Sequence, residues 1–255
     1  MRTLLELRPF APPPGTIDGW RIDLECPETT VAALASVLSH DERERAARFV
    51  FPRDRRRFTV TRASLRVLLG GCVGERAAAI DFAYSAHGKP SLASGSTTPP
   101  VHFNVSHAGE VALIGLSLDG PLGVDVEAVR TLPDRLAIAS RFFTAAETET
   151  ITTVPPEERD LAFFLCWTRK EAFSKALGDG LSLALDRYRV ACRPGAPARI
   201  LEIDGSAAAA AEWSVYDLRP APGFVGAVVM RGASRPLRLR RLDVGADVLP
   251  RVSPI

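Results

Sequence analysis

The chain has 255 residues, 46% of them hydrophobic, enough apolar material for one large packed domain or two smaller ones. A formal net charge of only +2 gives no long-range pull on a polyanion, so a nucleic-acid binder would have to rely on local basic clusters. Cys26, Cys72, Cys166 and Cys192 form no CxxC pair, which argues against a zinc site or disulfide framework and for a reduced, cytoplasmic setting; no apolar run resembles a secretory signal or reaches the ~18 residues of a membrane span.

After a proline-rich opening, GWRIDLE (Gly19–Glu25) alternates apolar and polar residues as a half-buried strand does. Ser39 followed by Glu42 has capping-box spacing and predicts a helix through ERERAARF, ended or interrupted by Pro52. A second helix is predicted over Arg53–Leu69, stopping at Gly70-Gly71, then a strand at Ile80–Tyr84, the HGKP turn (His87–Pro90) and a surface loop, SLASGSTTPP. FNVSHAGE and VALIGLSL read as strands, and Asp119-Gly120 as a two-residue hairpin turn that returns the chain as PLGVDVE. In that hairpin Glu127 falls opposite Ala112, which makes His107 and Glu127 neighbours. RFFTAAE (Arg141–Glu147) opens a helix with Thr144 as cap and Glu147 three residues on. A long helix follows, from Glu157 or Asp160 to Leu177, closed by Gly178. Strands are predicted at Leu185–Ala191, Ala198–Ile203, Glu212–Leu218 and Gly223–Val229, with PLRLRRLDV as one more, while RPGAPA and DGSAAAAAE read as turns or loose connections.

There is also an internal echo. ARFVF precedes a helix carrying Thr61-Arg62 and ending at Gly70, and SRFF precedes one carrying Thr168-Arg169 and ending at Gly178, the trace a duplication leaves.

Three carboxylates draw the chemistry together. On a strand, Asp125 and Glu127 share one face about 7 Å apart while Val124 and Val126 take the other. A lone pair of this kind is usually a wet strand face; its company changes that. On a helical wheel Leu161, Leu165, Ala172, Phe173 and Ala176 form the core side, with Arg169 intruding on it, while Phe164, Trp167, Glu171 and Lys175 make a ladder on the other side with Lys170 flanking it. An exposed Glu171–Lys175 pair explains the charges but not the aromatic neighbours, whereas a phosphate ligand bordered by aromatic surface explains both. Carboxylates from a strand and a helix, with cations nearby, suit magnesium and a polyphosphate, because magnesium takes a few protein oxygens and leaves the rest to phosphate and water.

GKP (Gly88–Pro90), FNVSH (Phe103–His107), GVDVE (Gly123–Glu127), RFFTAAE and WTRKEAFSKALGDGLS (Trp167–Ser182) occur in this order. Together they closely resemble the 4'-phosphopantetheinyl transferases of the surfactin-synthetase-activating type, in the subgroup with a W-x-x-K-E-A signature. The resemblance implies an α+β pseudo-dimer of two similar halves, residues 1–120 and 121–255, each with a mainly antiparallel sheet packed against a long helix, and coenzyme A in the cleft between them. It implies transfer of the phosphopantetheine arm from coenzyme A to a serine of an acyl, aryl or peptidyl carrier protein, releasing adenosine 3',5'-bisphosphate.

By matching position, Asp125 and Glu171 are expected to ligate magnesium with Glu127 completing the set. Glu171 also serves as base for the carrier serine, directly or through water, and Lys175 neutralises or protonates the leaving phosphate. Lys170 becomes a neighbouring phosphate contact. His107 and Arg45 hold the 3'-phosphate side of coenzyme A, Ser106 is a further coenzyme A contact, and Gly88, Lys89 and Pro90 line the nucleotide pocket. Some relatives carry lysine where Glu42 stands, so Arg57 or Arg48 is expected to supply that missing charge.

The rival readings are weaker. The stretch Arg43–Arg66 holds nine arginines but no known motif of a nucleic-acid binder. Ser106 beside His107 lacks the GxSxG elbow of a hydrolase. A non-catalytic module that binds carrier protein or coenzyme A would be expected to have lost an acid or the base, and Asp125, Glu127, Glu171 and Lys175 are all present. The expected protein is a monomeric enzyme with neither nucleic acid nor membrane as partner.

Overall fold

The computed structural model describes residues 4–5, 9–86, 88–93, 100–178, 184–245 and 250–251. His87, residues 94–99 of the surface loop, and residues 179–183, which include the Ser182 end of the last motif, lie outside them.

Two runs of elements follow one another in the same order. The first is β2 (Ile17–Asp23), α1 (Glu28–Ala35), α2 (His40–Ala47), α3 (Pro52–Val73), β3 (Phe82–Tyr84), β4 (Pro90–Leu92), β5 (His102–Ala108) and β6 (Val111–Ser117). The second is β7 (Leu122–Ala128), α4 (Arg135–Phe142), α5 (Ala145–Thr153), α6 (Arg159–Leu177), β8 (Tyr188–Val190), β9 (Ile200–Ile203), a short α7 (Ala207–Ala211), β10 (Trp213–Leu218) and β11 (Phe224–Arg231). In each run the first strand pairs antiparallel with the last, and the last with the one before it: β2–β6–β5 and β7–β11–β10. Then β12 (Leu237–Leu242) adds itself parallel to β2, and β1 (Leu4–Leu5) pairs with β13 (Pro250–Arg251). This is the expected α+β pseudo-dimer.

The repeat reaches side-chain detail. The predicted capping boxes at Ser39/Glu42 and Thr144/Glu147 both form, and each glutamate reaches on to a buried cation of the following long helix. Glu42 meets Arg66 Nε at 2.6 Å, and Glu147 meets Lys170 Nζ at 2.9 Å. Arg66 also donates to the carbonyls of Ala77 and Ile80, and Lys170 to those of Leu185 and Tyr188. Both long helices end at a left-handed glycine, Gly74 (φ 74°) and Gly178 (φ 83°), a backbone state in which only glycine avoids a Cβ penalty. The structural equivalence is thus Arg66 with Lys170 and Gly74 with Gly178. The echo read from Thr61-Arg62 and Thr168-Arg169 pointed to a true repeat in the wrong register. Gly70-Gly71, expected to stop the first long helix, lie inside α3. A Cβ on Gly70 would stand 2.7 Å from the Glu75 carbonyl oxygen, so glycine is there for contact and not as a terminator.

A second correction concerns Asp119-Gly120. No β6–β7 hairpin forms: β6 pairs with β2 and β5, and β7 leaves for the other sheet to pair with β11. The Asp119 carboxylate instead accepts from the Gly15 N–H at 2.9 Å and meets Arg235 at 3.3 Å, which ties the crossing point to the first half's edge. The Ala-rich DGSAAAAAE stretch, read as a loose connection, contains α7, whose first turn is capped when the Ser206 hydroxyl accepts from Ala209 N–H.

Each half has its own core, and a third apolar cluster lies where the halves meet, formed by Ile17, Val111, Leu113, Leu122, Val124, Val126, Leu218, Val228 and Met230. At about 1.5–3 kcal/mol for each fully buried side chain of this size, that seam joins the halves as one body. Side chains carried across it are held in fixed relation.

Candidate active site

The site begins with a backbone contact. Gly123 on β7 lies so close to α6 that a Cβ there would fall 1.8 Å from the Ala172 carbonyl oxygen. The helix therefore rests directly on the strand, and the next positions along each, Asp125 on β7 and Glu171 and Lys175 on α6, come together. From the other half, β5 lies against the same strand: Asn104 Oδ1 accepts from Val124 N–H at 2.8 Å, and the Ser106 hydroxyl donates to Asp125 Oδ1 at 2.7 Å. Lys175 Nζ completes the cluster, donating to Asp125 Oδ1 at 2.7 Å, to Ser106 Oγ at 3.1 Å and to the Val124 carbonyl at 3.2 Å. Asp125 is only 4% exposed, and its second oxygen, Oδ2, is buried without a hydrogen-bond partner. That oxygen, buried at the seam between the two halves, is open to a further partner.

Electrostatics link the other two acids to it. Burial raises the Glu171 carboxyl, the Asp125 charge raises it further, and Lys175 opposes both. Glu127 is raised mainly by burial and then by Asp125, with Arg130, 3.7 Å away, and Lys175 opposing and Glu171 adding a smaller upward push. Among the described residues no group of three or more histidine, cysteine, aspartate or glutamate side chains encloses a metal position by itself. The sign of the pH effect follows. Both glutamates bind a proton more tightly in the native state than at their ordinary 4.5, so their contribution to stability is full below that value and is lost as pH rises through the raised pKa values. With no divalent cation present, Asp125→Asn should lower the titration midpoints of both, read from side-chain carboxyl NMR shifts; midpoints that do not move would remove Asp125 as a cause.

Around this centre, His107 at the solvent-exposed end of β5 has its pKa lowered, first by burial against protein and then by Lys175 and Arg57. It is coupled to Asp125 more directly than to Glu127, so the sequence expectation of a His107–Glu127 neighbourhood reaches the right region through a hairpin that does not exist. Arg57 is held by Glu110 at 2.7 Å. Arg45 is exposed on α2 with its guanidinium 5.2 Å over the Phe58 ring, and Arg48 is exposed at the end of the same helix. Glu42, where a cation was missed, is buried against Arg66 and Arg62 and serves as a strut. Lys89 reaches across to donate to the Lys175 carbonyl. With Pro90 it lines a cavity of about 420 Å³, whose wall also includes Tyr84, His102, Phe103 and Gly178. Gly88 shapes the adjoining turn, its N–H donating to Ser85 at 2.9 Å. His102 opens β5 and lines this cavity.

Two expectations fail here. Lys170 does not face a phosphate: its side chain is fully buried, bonded to Glu147, Leu185 and Tyr188, with its ammonium 4.5 Å over the Tyr188 ring. The aromatic neighbours of the ladder are core as well. Phe164 is 2% exposed, and Trp167 stacks on Phe163 at 6.0 Å and meets Phe143 at 6.1 Å. Arg169, the charge that intruded on the apolar face, is buried and paired with Asp217.

Residues 121–229 match the family model of the 4'-phosphopantetheinyl transferase superfamily, and residues 25–117 match that of the 4'-phosphopantetheinyl transferase N-terminal region. The chain is 38% identical over 213 residues to the 4'-phosphopantetheinyl transferase HetI of Nostoc sp., covering 84% of this chain and 86% of that protein. The chain belongs to the 4'-phosphopantetheinyl transferase superfamily. It is therefore an enzyme of the transferase class. The transferase Sfp of Bacillus subtilis is 33% identical over 165 residues, 60% of this chain and 71% of that one. The human L-aminoadipate-semialdehyde dehydrogenase-phosphopantetheinyl transferase is 32% identical over 162 residues, 60% of this chain and 52% of its own length. No helix among the described residues of this transferase is long and apolar enough to cross a membrane.

Proposed function

We propose that this transferase moves the 4'-phosphopantetheine arm of coenzyme A onto a serine hydroxyl of an apo acyl, aryl or peptidyl carrier protein, releasing adenosine 3',5'-bisphosphate, with magnesium as its metal. The observation that carries the reading is the Ser106–Asp125–Lys175 cluster, in which a buried carboxylate with one unsatisfied oxygen is approached from both halves. That free oxygen, and two glutamates whose charged forms are disfavoured beside it, fit a divalent cation with Asp125, Glu171 and Glu127 as its protein ligands. The ion, when bound, would neutralise charge spreading over the diphosphate during transfer.

The chain's own residues supply the rest. Glu171, carried by α6 beside Asp125 and Lys175, is the group assigned as base. It takes the serine proton as the serine oxygen bonds to the phosphorus bearing pantetheine, while the bond from that phosphorus to the bridging oxygen breaks. Lys175 Nζ neutralises the departing phosphate. Arg45, Arg57 and His107 are the residues assigned to the 3'-phosphate, Gly88, Lys89 and Pro90 those assigned to the nucleotide, and Ser106 a coenzyme A contact beside Asp125. The reading divides the chain at 120/121 into two halves around one cleft, with β12 returning from the second half to the sheet of the first, and two fused halves make a monomer sufficient. Four free cysteines suit a reduced, cytoplasmic setting.

Purified protein incubated with coenzyme A, magnesium and a panel of apo carrier proteins should give at least one carrier heavier by a single phosphopantetheine arm, seen by intact mass. Carriers that are bound but never gain the arm would favour a binding module instead.

A further inference from the structure

We propose that Glu110, in the turn between β5 and β6, is a positioning residue that aims Arg57 at the 3'-phosphate of coenzyme A and so sets the preference for coenzyme A over 3'-dephospho-coenzyme A. The proposal rests on the reading above, in which that phosphate lies near Arg57 and His107. Glu110 Oε1 accepts from both Arg57 Nε at 3.2 Å and Arg57 Nη2 at 2.7 Å, and its other oxygen takes Arg56 Nη2 at 3.3 Å. Asp54 approaches Arg57 Nη1 from the other side at 3.5 Å. Glu110 is itself anchored, because its carbonyl accepts from Leu24 N–H at 2.9 Å at the end of β2.

An arginine has five N–H donors in a rigid fork. Three are engaged by Glu110 and Asp54, leaving one on Nη1 and one on Nη2 for an anion. The charge of Arg57 is felt by His107, three residues before Glu110 on the same hairpin, so the open donors and the imidazole belong to one neighbourhood. A free arginine on a helix surface would lose much rotamer entropy on gripping a phosphate; one already clamped has lost it beforehand. The Glu110 charge acts in the opposite sense, repelling an incoming anion. The two effects separate because Oε1 alone holds Arg57: Glu110→Gln keeps an acceptor oxygen for Arg57 and discards the charge, whereas Glu110→Ala discards both.

The test is calorimetric binding of coenzyme A and of 3'-dephospho-coenzyme A to the full chain. Arg57→Ala comes first and should erase the preference for coenzyme A; if it keeps that preference, the placement of the 3'-phosphate at Arg57 is wrong whatever Glu110 does. With that placement standing, E110A should weaken coenzyme A binding about tenfold and leave 3'-dephospho-coenzyme A unchanged, while E110Q should stay within about threefold of the parent for both. Should E110A not fold, E110D, which withdraws the carboxylate by one methylene, takes its place with the same expectation. Equal weakening of both ligands would make Glu110 merely structural, and tighter coenzyme A binding in E110A and E110Q would make it a competitor; either result overturns the proposal.

Discussion

Asp125→Asn is expected to slow arm transfer by about a thousandfold while the protein stays folded, the scale seen when a preorganised electrostatic partner of a transition state is removed. The side chain keeps its shape, so Ser106 and the Val124 carbonyl can still hold Lys175 by hydrogen bonds. What disappears is the charge that sits between Lys175 and the two glutamates and leaves one oxygen unsatisfied in a buried seam. Steady-state transfer to a saturating carrier protein measures the rate, and thermal unfolding checks the fold. A rate within about threefold of the parent would show that Asp125 is not part of the chemistry.

The second large effect lies away from the chemistry. Lys170→Met should cost about 3–5 kcal/mol of stability, because it leaves the buried Glu147 carboxylate without its counter-charge. Lys170→Met combined with Glu147→Gln should lose less than the single variant, since both charges go together. Denaturant unfolding of the two variants decides the matter. If Lys170 were a phosphate contact, as its place in the sequence suggests, Lys170→Met would instead unfold normally and raise KM for coenzyme A.

That contrast shows where sequence reading reached its limit. A helical wheel gives the angle of Lys170 around α6 but not the depth of what packs against that angle, and α5 with the Tyr188 strand covers it. The same applies to Trp167, whose contact with Phe143 comes from packing, although its stacking on Phe163 is the i,i+4 spacing of α6 itself. A usable signal was nevertheless present. Two capping boxes, Ser39/Glu42 and Thr144/Glu147, each precede a long helix with a cation at a matching distance from its terminal glycine, and reading them as a pair would have exposed both buried ion pairs and the true register of the repeat. Local signals with a direct steric cause survived folding: the caps, the alternation of β2, and the Gly178 stop. Asp119-Gly120 misled because turn chemistry speaks only for four residues, while the sheet joined by β7 is decided by Gly123 against Ala172 and by the apolar seam. The acids Asp125, Glu127 and Glu171 were visible from residue type and strand and helix period. The Ser106 hydroxyl linking Asp125 to Lys175, and Asn104 fixing Val124, depend on contacts between the two halves.

The most direct measurement is a crystal of the protein grown with coenzyme A and manganese in place of magnesium, with the metal located by its anomalous scattering. The account predicts one peak within coordination distance of Asp125 and Glu171, shared with an oxygen of the diphosphate. A metal bound elsewhere, or a diphosphate seated away from Asp125, would contradict it.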